Sequence, residues 1–98
     1  MTSPPDPRQT LHKRAEETAQ LWLVAARDAR FWVSSDLRIG VDDGAKLVGM
    51  SSKGFAKRLP STGILVYQVG GGRHKRSIKI YDLALWLESL ATQADRAA

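Results

Sequence analysis

Glycine and proline recur at Gly49, Pro60, Gly63 and Gly70-Gly71-Gly72, and no element longer than about ten residues fits between such breaks. The middle of this chain must be built from short helices and strands. Ile39 and Val41 read as a brief strand. Asp42 or Asp43 then offers an N-cap oxygen to a short helix through Ala45, Leu47 and Val48. Gly49 suits the left-handed position that closes a helix, and Ser51 is placed to cap a second one over about residues 52–59, which Pro60 ends. In that second helix Ser52, Phe55, Ala56 and Leu59 share one face, while Lys53, Gly54, Lys57 and Arg58 share the other.

Residues 64–69 are β-branched and aromatic, and Ile78 and Ile80 alternate with Ser77 and Lys79. With the glycine run between them, these two stretches predict a β-hairpin whose tip is basic. Asp82 sits where a carboxylate suits the start of a closing helix. Leu83, Trp86, Leu87 and Leu90 supply its inward stripe, and the chain is expected to fray from Ala91.

Ahead of this region, residues 1–7 hold three prolines and read as a frayed leader. Residues 8–33 follow as a long amphipathic element, with Leu11, Ala15, Thr18, Trp22, Ala25, Ala26 and Ala29 at three- and four-residue steps. Leu23 and Val24 fall off this stripe and are expected to stay exposed, so that the helix joins copies of the chain head to tail. Trp22, Trp32 and Trp86 each lie on or beside an apolar face and are read as core, not as base-stacking platforms. His12 and Glu16, one turn apart, form a solvated pair without a third metal ligand.

Charge decides what such a chain meets. Eight basic and no acidic residues lie between Gly44 and Tyr81, whereas the rest of the sequence holds seven basic and ten acidic residues. Segregation this complete points to a polyanion. The chain has no cysteine, which excludes disulfides, thiolate metal sites and cysteine nucleophiles. No apolar run is long enough to span a bilayer, and the start lacks the basic-then-apolar build of a signal peptide, so a cytoplasmic protein without membrane contact is expected. The glycine run has no Gly-Lys-Ser/Thr ending and opens no helix, which argues against a phosphate loop. The fold class expected is α+β, mostly helical: a winged helix-turn-helix over residues 36–91 with a two-stranded basic wing, the added N-terminal helix, and a frayed tail over residues 92–98.

The stretch from Asp42 to Ser51, followed by Phe55, Arg58, Gly63, the tip Gly-Gly-Gly-Arg-His-Lys-Arg, Ile78, and Asp82-Leu83 with Trp86-Leu87, resembles the MerR-like winged helix of small phage and mobile-element excisionases. The resemblance covers residues 39–90. It implies a bacterial or phage-encoded, nucleoid-associated protein with no catalysis, cofactor or small-molecule substrate of its own. Such a protein binds double-stranded DNA repeats beside an attachment site, bends the DNA and steers an integrase toward excision. A promoter-binding regulator and a small terminase or partition protein use the same kind of module and are the alternatives.

Independently of the family, a helix fits the major groove, and Ser51, Ser52, Lys53, Lys57 and Arg58 are placed to reach bases and phosphates there. Gly54 costs about 1 kcal/mol relative to alanine inside a helix and lets the backbone come close to DNA. Gly71 and Gly72 keep the wing slim, so that Arg73, His74, Lys75 and Arg76 reach a narrow minor groove.

Overall fold

The computed structural model describes residues 7–68 and 76–97, with the side chains of residues 10–68 and 76–91. Its elements are α1 (Pro7–Asp28), β1 (Arg38–Gly40), α2 (Val41–Val48), α3 (Ser52–Thr62), β2 (Val66–Gln68), β3 (Arg76–Lys79) and α4 (Ile80–Ala97). This is a mostly helical α+β arrangement compatible with a winged helix. The sheet is antiparallel in the order β1-β3-β2, so the hairpin has a third strand at its side instead of standing as a two-stranded wing. Register places Ile39, Ile78 and Val66 in line across one face and Arg38, Lys79, Ser77 and Tyr67 across the other.

The apolar face closes the core. Ile39, Phe55, Ile78 and Leu83 are fully buried, with Val41, Ala45, Leu59 and Ile80 around them. Each large side chain removed from water here contributes about 1.5–3 kcal/mol. Helix α2 reaches the sheet at Gly44, where a Cβ would stand only 3.1 Å from the Ile78 side chain. The strand alternation expected over residues 77–80 fails, because Ser77 is buried on the outer face and Ile80 already opens α4. Ser77 is covered by Arg38, which donates to its hydroxyl at 3.0 Å.

Helix α2 starts two or three residues earlier than expected. Gly40 occupies the cap position without a side-chain bond, so Asp42 and Asp43 lie in the first turn, where their charge favours the helix dipole. Pro60 does not stop α3, which runs to Thr62 before Gly63 turns it off at φ 77°. Proline removes one backbone donor, while the Ser61 and Thr62 hydroxyls donate back to the Arg58 and Leu59 carbonyls at 2.8 Å each.

Helix α1 stops at Asp28 and does not continue through Val33. The amides of Arg30 and Phe31 close back on the carbonyls of Arg27 and Ala26, with Arg30 at φ 60°. Val33 then bridges to Ile39. Chiefly α1 packs on α4, joined by a 2.5 Å hydrogen bond between His12 Nδ1 and the Tyr81 hydroxyl and by Thr18 donating to Glu88 at 2.8 Å. Burial, and then Glu16 and Asp82, push the Tyr81 phenol above its usual range. Because α4 touches α1, α2 and β3, its buried band includes Ala84, whereas Leu90 is exposed. The helix continues to Ala97, past the point where fraying was expected.

Candidate nucleic-acid interface

The turn between α2 and α3 follows from three residues. Gly49 adopts φ 75°, its amide returns to the Lys46 carbonyl at 3.2 Å, and the Met50 amide returns to Ala45 at 2.9 Å. This six-residue closure satisfies the last carbonyls of α2 and redirects the chain. Ser51 then caps α3, its hydroxyl accepting from the Gly54 amide at 3.1 Å. A Cβ on Gly54 would lie 2.9 Å from that same oxygen. The glycine therefore has a local reason inside the helix: it leaves the capping hydroxyl its place.

Helix α3 has a buried back and a cationic front. Phe55 and Leu59 are buried, and the Phe55 ring lies 6.3 Å from that of half-buried Trp86. Lys53, Lys57 and Arg58 are exposed, as are Ser51 and Ser52, with Gly54 half-buried. Among the described residues no carboxylate pairs with Lys53, Lys57 or Arg58. Lys46, on α2, contrasts with them, lying 3.7 Å from Asp43 and 5.4 Å from the Phe31 ring centre. Arg76 is exposed and sits opposite Gln68 at the start of β3. Gly71, Gly72, Arg73, His74 and Lys75 lie outside the described residues.

A second basic group occupies the outer face of the sheet. Arg38 Nε donates to both Asp36 oxygens at 2.9 and 3.0 Å, and its guanidinium lies 4.9 Å from the centre of the Tyr67 ring. Lys79 Nζ lies 5.9 Å from the same ring. The Ser34 hydroxyl, ahead of Arg38, holds the Asp36 carboxyl down at about 2. Sequence reasoning missed this group because Arg38 meets Lys79 only through the β1–β3 pairing. Their alternation with Ile39 and Ile78 was the available signal.

Leu23 corrects an expectation. It is 9% exposed and belongs to the core together with Ile80 at the start of α4, and it lines one cavity with Leu37 and Tyr81. Val24 is exposed as expected, and Leu21 is the more exposed of the two at 71%. Trp32 is also partly exposed, while Trp22 and Trp86 pack against the core. His12 pairs with Tyr81 instead of with Glu16. Among the described residues no group of three or more His, Cys, Asp or Glu side chains is placed to hold a metal, and no helix is long and apolar enough to cross a membrane.

Compared with known proteins, the chain matches no family model, no curated protein and no solved structure.

Proposed function

We propose that this protein binds duplex DNA through α3 and acts in the manner of an excisionase, occupying repeats beside an attachment site and directing an integrase toward excision. The observation that carries the DNA reading is the front of α3. Lys53, Lys57 and Arg58 stand exposed without carboxylate partners among the described residues, on a helix fixed from behind by Phe55 and Leu59. Cations in that state release condensed counterions when they meet phosphates. By their sequence Arg73, His74, Lys75 and Arg76 are assigned to the same contact, as basic groups that would enter an adjacent groove.

Binding of duplex and single-stranded oligonucleotides, measured by fluorescence anisotropy across a salt series, tests the reading. About five neutralised phosphates give a slope near −4.5 in log K against log salt. A flat dependence, or preference for single strands, overturns it. Footprinting on DNA flanking the gene then separates the excisionase role from its rivals: protection of repeats at an attachment site supports it, and protection confined to a promoter or a packaging site replaces it.

Self-association along tandem sites belongs to the same proposal, carried by Leu21 and Val24, which stand exposed on α1. Replacing both with glutamate should abolish cooperativity on three-repeat DNA and leave one-repeat binding intact. Equal loss on both probes, or loss on neither, rejects that role.

A further inference from the structure

We infer that the outer face of the sheet is a second phosphate-binding site, in which Lys79 and the Tyr67 hydroxyl contact the sugar–phosphate backbone of a duplex and Arg38 holds the Tyr67 ring in position. The inference rests on the DNA-binding reading and adds to it residues of the sheet, apart from α3.

Three observations support it. Strand register brings Arg38, Ser77, Lys79 and Tyr67 to one face, although they come from three strands. Apolar side chains occupy the opposite face, where Ile39 and Ile78 are fully buried, so this polar set is not turned outward for want of a core. The group is also prearranged. Arg38 is only 18% exposed at its side chain, its one Nε donor is shared between the two Asp36 oxygens, one terminal nitrogen is taken by Ser77, and its guanidinium lies over the Tyr67 ring.

The charges within the cluster assign the roles. Asp36 has both oxygens on Arg38, so its charge is answered there. Lys79 has no carboxylate partner among the described residues and stands over the same Tyr67 ring. An ammonium without a carboxylate partner near a phenol ring on the neighbouring strand matches a phosphodiester oxygen: the ammonium supplies the charge and the hydroxyl a directed hydrogen bond. A guanidinium already committed on three sides is a positioning group. Fixing the ring before binding reduces the side-chain entropy lost on contact.

The test uses the full chain and a duplex that the unsubstituted protein binds. Lys79→Gln is expected to lower the magnitude of the salt slope by about 0.9, the share of one phosphate, and Lys79→Arg to restore it. Tyr67→Phe should weaken binding severalfold with the slope unchanged, because it removes a neutral donor. Phosphate-ethylation interference should lose one position with Lys79→Gln that persists when α3 carries Lys57→Gln. Thermal unfolding of each variant reports on the fold independently. If Lys79→Gln leaves slope and interference pattern unchanged while Lys57→Gln alters both, the sheet site is rejected and the α3 reading stands. If the unsubstituted chain binds no duplex, both fall.

Discussion

The two basic surfaces solve the same electrostatic problem in opposite ways. On α3 the cations Lys53, Lys57 and Arg58 extend into solvent without carboxylate partners among the described residues. On the sheet, Arg38 is locked by Asp36, Ser77 and the Tyr67 ring, and Lys79 leans on that ring as well. A loose cation attracts phosphates at long range and adapts to its target, but it gives up as much as about 2 kcal/mol of rotamer entropy when fixed. A held cation loses less and fits only one geometry. Under the proposed DNA binding, the contrast suits a reader that adapts to base edges and a contact that fixes orientation on the backbone.

The largest effect expected comes from removing what stands behind both surfaces. Phe55 backs α3 and belongs to the same core as Ile39 and Ile78 beneath the sheet. Phe55→Ala should therefore cost about 3–5 kcal/mol and abolish DNA binding together with cooperative unfolding, as chemical denaturation would show. Loss of binding with normal stability would mean that Phe55 touches the ligand. Next comes the joint replacement of Lys53, Lys57 and Arg58 by glutamine. The salt slope should fall by about 2.7, three phosphates' worth, while stability stays within about 0.5 kcal/mol because the side chains are exposed. If the slope holds, the free surface is not the reader.

Smaller changes probe the scaffolding of each surface. Ser51→Ala removes the cap of α3 and should cost about 1 kcal/mol in urea unfolding, against no effect if the Gly54 amide finds water instead. Asp36→Asn tests the sheet. The Asp36 carboxyl is held at about 2, below its ordinary value of 3.8, so its contribution is complete above the ordinary value and disappears as pH falls through about 2. The variant should be less stable at neutral pH and show a shallower loss of stability between those two values. An unchanged acid limb would mean that the carboxylate does not hold Arg38 in solution. The smallest effect belongs to Gly54→Ala. About 1 kcal/mol of helix propensity gained is offset by displacement of the Ser51 hydroxyl, which worth is similar, and the melting temperature should barely move.

Local chemistry made much of this molecule legible in its sequence. Gly49 and Ser51 end and restart a helix through their own backbone and hydroxyl, and the 3.6-residue period separates Phe55 and Leu59 from Lys53, Lys57 and Arg58 wherever α3 packs. Those features need no knowledge of distant residues. Element ends were less legible where side chains intervene. Pro60 signals a stop, yet hydroxyls from Ser61 and Thr62 carry the turn to Gly63. In the same way Gly40, not either aspartate, opens α2.

What only the tertiary structure decided are the neighbours of each face. Leu23 is buried and Leu21 exposed because the start of α4 at Ile80 takes Leu23 into the core, a fact about packing that periodicity in α1 does not contain. Arg38 and Lys79 lie forty-one positions apart and become one site only through strand pairing, which a chain specifies through the whole core and not at either residue. Sequence sets which side chains share a face, since that depends on the helix and strand repeat alone. Which surface covers that face depends on contacts that form only when the entire chain has collapsed around Ile39, Phe55 and Ile78.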